Sequence, residues 1–135
     1  MSHVVTIETK LRDPAAIHAA CVRLKLPEPR QETVKFFDGA EHRGIAVRPP
    51  GFVYPVLVQS DGNVRCDTYE GRWGDDAFLG RLKQAYAVEA AKLQAKARGH
   101  RITETSLPDG GVKLTVTAGA AGFGGTPHQI YGGAA

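Results

Sequence analysis

The chain contains the same order of elements twice: a strand of alternating polarity, an amphipathic helix and a hairpin that turns on Asp-Gly. Asp-Gly between two alternating segments is a strong local signal for a hairpin. The paired elements are residues 4–7 and 64–66 for the strands, 13–24 and 75–98 for the helices, and 34–47 and 101–116 for the hairpins. A third hairpin, 52–59 with 64–69, turns on Asp61-Gly62. Because strands joined by hairpins pair antiparallel, a chain of hairpins and two helices is expected to form an antiparallel sheet covered by helices.

Both helices have recognisable ends. Asp13 before Pro14 is typical of a helix start, because Asp accepts free backbone N–H groups and Pro is tolerated at the first position. Gly99 is typical of a helix end. The apolar stripe of the second helix contains Leu79, Leu82, Tyr86, Ala90, Leu93 and Ala97. We therefore predict one α+β domain over residues 1–117, an antiparallel sheet of about seven strands with both helices packed on one face, built as two strand-helix-hairpin units.

The last part of the chain, residues 118–135, has a different composition. It is rich in glycine and alanine and has no Asp, Glu, Lys or Arg. Such a sequence supports no packed core, so we expect a flexible tail or one that docks on a partner. Its apolar residues Phe123, Ile130 and Tyr131 are the predicted docking anchors, on this domain or on a neighbouring chain.

Composition indicates the cellular compartment of the protein but does not identify its partner. The formal net charge of the 135 residues is +3, with the basic residues spread along the chain, so no concentrated phosphate-binding patch is evident. Apolar runs are too short to cross a bilayer, and Met1-Ser2-His3-Val4 lacks the order of an export signal. Cys21 and Cys66 lie in regular elements. We expect a cytoplasmic protein with free thiols and no membrane contact.

The sequence carries no catalytic signature. Cys21 shares an apolar stripe with Ile17 and Leu24, which is typical of a core thiol rather than of a nucleophile. The histidines have no metal-binding spacing, and the glycines at 122–125 follow no strand–helix junction. We therefore predict no catalytic, cofactor-binding or metal-binding residue. An enzyme that uses Cys21 or a histidine is the third of three functional hypotheses.

Basic residues of the long helix define the second hypothesis, a nucleic-acid-binding module. Arg81, Lys92 and Lys96 lie away from the apolar stripe, and Trp73 precedes the helix. A basic face with a nearby aromatic ring is the kind of surface that binds nucleic acid, although a charged outer face is also ordinary for an exposed helix.

Three segments resemble a known family. The opening Met1–Asp13, the helical Gln84-Ala85-Tyr86-Ala87 and the closing Asp109-Gly110-Gly111-Val112-Lys113-Leu114 are similar to the domain of unknown function twelve-fifty-seven family, also called the hypothetical chloroplast reading frame thirty-five family. The family has no established activity or catalytic residues. The resemblance implies a protein partner, with an AAA-type ATPase as one candidate.

The first functional hypothesis is therefore a small cytoplasmic, non-catalytic module that binds another protein. The partner could be a different protein or a second copy of this chain.

Overall fold

The structure is a computed structural model that describes residues 4–7, 10–67, 72, 74, 75, 77–117 and 128–132, with 4–7 and 128–132 described for the backbone alone. Within these ranges the helices are α1 (Pro14–Arg23) and α2 (Phe78–Ala97). The strands are β1 (Val4–Ile7), β2 (Arg30–Lys35), β3 (Glu41–Val47), β4 (Val56–Val58), β5 (Val64–Asp67), β6 (Arg101–Ser106), β7 (Val112–Thr117) and β8 (His128–Gly132). Helices and antiparallel strands confirm the α+β class.

The strands form two sheets. The larger has five strands in the order β1-β5-β4-β3-β2, and the smaller has three in the order β6-β7-β8. The prediction of one sheet of about seven strands is therefore wrong. β1 pairs with β5, with Val4 opposite Asp67 and Ile7 opposite Val64, and so occupies the edge of β5. The second hairpin, β6 with β7, forms a separate sheet.

The core extends over both sheets through α2. On one face of the larger sheet, Val56, Val58 and Cys66 pack against α1 and the first half of α2. Further along α2, Val88 packs against Leu114 of the smaller sheet. The prediction that both helices lie on one face of a sheet is correct for α1 and for the first half of α2, which pack on the larger sheet. The second half of α2 packs against the smaller sheet.

The three hairpins share one turn chemistry. Asp38, Asp61 and Asp109 each accept a hydrogen bond from the backbone N–H two residues later, at 2.9, 3.0 and 2.8 Å. The glycine after each aspartate has a positive φ, 84°, 87° and 88° respectively. Glycine enters this region without the steric penalty of a Cβ atom. These Asp-Gly turns confirm the hairpins that the sequence predicts.

The helix ends also follow from the sequence. Asp13 caps α1, because its Oδ1 accepts from the Ala15 N–H at 3.0 Å. Asp75 accepts from the Ala77 N–H at 2.9 Å just before α2, and Gly99 follows α2 with a φ of 72°. Neither described helix combines the length and the apolar character that a membrane span requires.

Two side chains of α2 join distant parts of the fold. The Tyr86 hydroxyl accepts from the Asp13 N–H at 3.1 Å, and Gln84 Nε2 donates to the Gly110 carbonyl at 3.0 Å. Ala85 between them is buried. The three segments on which the family resemblance depends thus meet through hydrogen bonds, and these residues hold α2 to the start of α1 and to the β6–β7 turn.

The described part of the tail is β8, a strand that the sequence does not predict. Ile130 lies opposite Leu114 of β7, and Tyr131 lies opposite Lys113. The side chains of Ile130 and Tyr131, and the whole of Phe123, lie outside the described residues. The docking role of these three residues stays a prediction.

Candidate functional site

A cavity of about 340 Å³ lies between the start of α1 and strands β2 to β4 of the larger sheet. We name it the α1–sheet cleft. It is within the size range of small-ligand sites, at the lower end. Its lining residues are Leu11, Arg12, Pro14, Ile17, Gln31, Arg43, Gly44, Ile45, Val58, Gln59 and Ser60.

The floor of the cleft is apolar because the main core reaches it. Leu11, Ile17 and Val58 are almost fully buried, and Ile45 packs against the same cluster. An aliphatic group that entered the cleft would therefore meet aliphatic surface and leave water.

Gly44 forms part of the wall and sets its shape. A Cβ atom at this position would lie 2.4 Å from the Val58 carbonyl oxygen and 3.1 Å from the Gln59 Cα atom. These neighbours are backbone atoms, which cannot rotate away. The close approach of β3 to β4 at the cleft therefore requires glycine.

Arg12 is held at one end of the cleft by the β4–β5 turn. Its Nε donates to the Asp61 carbonyl at 3.2 Å, and the Leu11 N–H donates to the Gly62 carbonyl at 2.8 Å. Arg12 also lies directly before the N-cap of α1, where the helix dipole adds positive potential.

Arg43 lies on β3, opposite Thr33 of β2. Its Nη1 is 3.5 Å from the Thr33 hydroxyl oxygen. The guanidinium therefore reaches a side chain of β2, which is an edge strand of the larger sheet.

The charge of the cleft is uncompensated in the part of the chain that the structure describes. No Asp or Glu lines it, and neither Arg12 nor Arg43 forms an ion pair with a described carboxylate. In two other described cavities one arginine is paired, Arg48 with Glu32 and Arg81 with Asp75, whereas Arg30, which lines the same cavity as Arg48, has no ion pair with a described carboxylate.

The lining of the cleft suits binding rather than proton transfer. Its polar groups are guanidinium, amide and hydroxyl groups, and none of its lining side chains is His, Cys, Asp, Glu, Lys or Tyr. The arrangement can hold an anionic group through charge-assisted hydrogen bonds and an aliphatic group on the floor.

Cys21 lies in the core, as the sequence predicts. Its side chain is 1% exposed, and burial raises the pKa of the thiol to about 11. A protonated, inaccessible thiol is a poor nucleophile. Cys66 is also buried, and neither cysteine forms a disulfide bond within the part of the chain that the structure describes.

Two of the basic residues predicted for nucleic-acid binding have acidic partners. Arg81 Nη2 is 2.9 Å from Asp75 Oδ2, and this hydrogen bond, with that from the Ala77 N–H, lowers the pKa of the Asp75 carboxyl. Lys92 Nζ is 3.4 Å from Glu104 and 3.6 Å from Glu89.

The other two predicted nucleic-acid residues are placed less favourably for a shared surface. Lys96 is exposed in the last turn of α2, fifteen residues after Arg81, which is roughly 22 Å along the helix axis. Trp73 lies outside the described residues.

Lys92 belongs to a cluster of four charges that joins α1, α2 and β6. Arg23 Nη1 is 2.5 Å from Glu104 and 3.8 Å from Glu89, and Lys92 contacts the same two carboxylates. Only the Glu89–Lys92 pair is visible in the sequence, through its spacing of three residues on one helix. We name this group the α1–α2–β6 charge cluster.

Sequence reasoning did not single out Arg12 or Arg43 as site residues. Arg12 precedes a helix and Arg43 lies in a strand, and their separation of 31 positions gives no local signal that they line one cleft. Only the strand register and the packing of α1 bring them together.

Comparison with known proteins gives no relative: no protein-family model, no curated protein and no solved structure matches this chain. The resemblance to the domain of unknown function twelve-fifty-seven family stays a prediction.

Proposed function

We propose that this chain is a non-catalytic module that binds another protein. The observation that carries the proposal is the α1–sheet cleft beside β2, an edge strand of the larger sheet. An edge strand offers backbone groups that an extended segment of a partner can pair with, and an adjacent cleft can select its side chains.

The non-catalytic part is supported by the chemistry of the candidate groups. The cleft is lined by donors and aliphatic groups, and Cys21 is buried with a raised pKa. An enzyme that uses the Cys21 thiol would need it exposed and near a base.

Nucleic-acid binding is the alternative function. It would use Lys96 together with Arg81 and Lys92, whose charges are compensated by Asp75, Glu89 and Glu104. Ion pairs of this kind reduce the field that attracts phosphate groups, so the alternative has less support.

Cross-linking in the source cells tests the proposal. The tagged full-length chain is treated with an amine-reactive cross-linker, and the linked peptides are identified by mass spectrometry. We expect links from Lys10, which precedes α1, and from Lys35 at the end of β2 to one other protein. An AAA-type ATPase and a second copy of the chain are candidates.

Two results would contradict the proposal. One is that no protein cross-links reproducibly to the chain. The other is that links form only from Lys96 and Lys113, which lie on α2 and the smaller sheet.

A further inference from the structure

We infer that the partner is recognised through an acidic extended segment that pairs with β2 and places a carboxylate in the α1–sheet cleft, beside an aliphatic side chain. The inference rests on the proposed function and adds the chemistry of the partner. The structural basis is the position of two guanidinium groups without a described carboxylate partner over an aliphatic floor, next to a sheet edge.

The guanidinium groups define the charge of the group that binds. Arginine presents parallel N–H donors that match the two oxygens of a carboxylate. Arg12 and Arg43 line the same cleft and have no described carboxylate within 4 Å, unlike Arg48 and Arg81. An acidic side chain would meet positive charge from α1 and from β3.

The position of Arg43 connects the cleft to the sheet edge. Its guanidinium reaches the Thr33 hydroxyl on β2, and β2 pairs with no described strand on its other side. A strand added there would lie about 4.8 Å beyond β2. Alternate side chains of that strand would point toward Gln31 and the cleft, because residues two apart in a strand share a face.

The charges of β2 itself favour an acidic strand. Its one carboxylate, Glu32, is occupied by Arg48 through bonds of 2.5 and 3.3 Å. Arg30 is exposed, and Lys35 lies opposite Glu41 of β3. If β2 of a second copy paired antiparallel with β2 over its full length, Arg30 of each copy would lie opposite Lys35 of the other. Like charges in directly opposite positions are destabilising. A different, acidic chain is therefore the better occupant.

The aliphatic floor indicates which side chain of the partner segment lies beside the carboxylate on the same face. Leu11, Ile17 and Val58 are buried under the cleft. In an added strand, the side chain two positions from the carboxylate lies on the same face, and a valine there would extend the aliphatic surface at the β2 side of the cleft.

Peptide titrations followed by fluorescence anisotropy test the inference. The probe is a fluorescein-labelled, capped peptide, Thr-Val-Thr-Glu-Thr-Val-Thr, with Glu and Val on one face. A second probe has Gln in place of Glu. A third is the Gln peptide shortened to end in a free C-terminal valine carboxylate, which distinguishes a side-chain carboxylate from a chain terminus.

We expect the Glu peptide to bind the full-length protein and the capped Gln peptide to bind about tenfold more weakly. Arg12→Gln and Arg43→Gln should each weaken binding of the Glu peptide about tenfold, and Arg43→Lys should weaken it less. The matched control is Arg101→Gln, on the exposed edge strand β6 of the smaller sheet, and it should leave affinity unchanged. Circular dichroism verifies that each variant is folded.

The inference is overturned if the Glu and capped Gln peptides bind equally, if neither binds, or if Arg101→Gln weakens binding as much as Arg43→Gln. Preferential binding of a mixed single-stranded oligonucleotide through Arg12 and Arg43 would also overturn it. The proposed function survives each of these results if the chain still cross-links to a protein in cells through Lys10 or Lys35. A protein captured by wild type and by the double Arg12→Gln/Arg43→Gln variant alike would reject the inference alone.

Discussion

Helix α1 has an arginine near each end, and the two arginines have opposite surroundings. Arg12, before the first turn, has no described carboxylate partner and lines a cleft with Arg43. Arg23, the last helical residue, lies between Glu89 and Glu104 in the α1–α2–β6 charge cluster. The C-terminal arginine joins elements of the fold, whereas the N-terminal one has no described carboxylate partner and is, in our proposal, the one that binds the partner.

The comparison shows why positive charge alone is a poor guide to a binding site. Lys92 and Arg81 are conspicuous in the sequence because they follow the outer face of a long helix. In the structure their charges are compensated by carboxylates. A structural ion pair between distant elements cannot be recognised until their packing is known.

The largest expected effect concerns the wall of the cleft. Gly44→Ala should lower the free energy of unfolding by about 2–3 kcal/mol, because the added methyl group meets the Val58 carbonyl and separates β3 from β4. Urea unfolding measures it. Gly39→Ala is the control, since no atom lies within 4 Å of its Cβ position and only its positive φ opposes the change, at about 1 kcal/mol. Equal losses would mean that the cleft wall is not closely packed.

The next effect concerns the last turn of α1, where Cys21 is buried. The folded-state pKa is about 11 and the reference value is 9.0, so the unfolded thiol loses its proton first as pH rises. This contribution to stability is complete below pH 9 and is lost between pH 9 and pH 11. From pH 8 to pH 10 the wild type should lose about 1 kcal/mol more of its free energy of unfolding than Cys21→Ala. The same pH dependence in both proteins would show that the thiol is accessible.

Removing one carboxylate that contacts Arg23 at the C-terminal end of α1 should have a smaller effect. Glu104→Gln leaves Arg23 and Lys92 with Glu89 alone, and we expect a loss of about 0.5–1 kcal/mol because the four groups are partly exposed. A double-mutant cycle of Arg23→Gln with Glu104→Gln should give a coupling energy that decreases in high salt. A coupling energy of zero between Arg23 and Glu104 at low salt would show that this cluster does not stabilise the fold.

The smallest effect is expected at the cleft. Arg43→Gln should change the free energy of unfolding by less than about 0.5 kcal/mol, because no described carboxylate pairs with Arg43. Arg23→Gln, measured under the same conditions, should be more destabilising. If Arg43→Gln proved the more damaging of the two, Arg43 would be a structural residue and the contrast between the ends of α1 would fail.

Local features of the sequence predict the elements well, whereas long-range pairing is hidden. The Asp-Gly turns, the Asp13 cap and Gly99 depend on neighbouring residues, and the structure confirms them. Pairing of β1 with β5 joins segments about 60 residues apart, so the division into two sheets could not be predicted. β8 lies in a glycine-rich segment with weak strand propensity.

The candidate site was beyond sequence reasoning for the same reason. The cleft combines Arg12 from before α1 with Arg43 from β3, and these residues share no motif. By contrast, Asp109-Gly110 is visible in the sequence as a turn motif, and Gln84 and Tyr86 form hydrogen bonds that join α2 to the β6–β7 turn and to the start of α1.

The most direct measurement of the central claim is a map of where the acidic peptide binds. Two-dimensional ¹H–¹⁵N NMR spectra of the labelled protein are recorded during titration with the capped Glu peptide. We predict shift changes in β2, in Arg43 and Gly44 of β3, and at residues 11–17, with unchanged signals from Arg23, Lys92 and Glu104. Shift changes centred on the α1–α2–β6 charge cluster or on the smaller sheet would contradict the account.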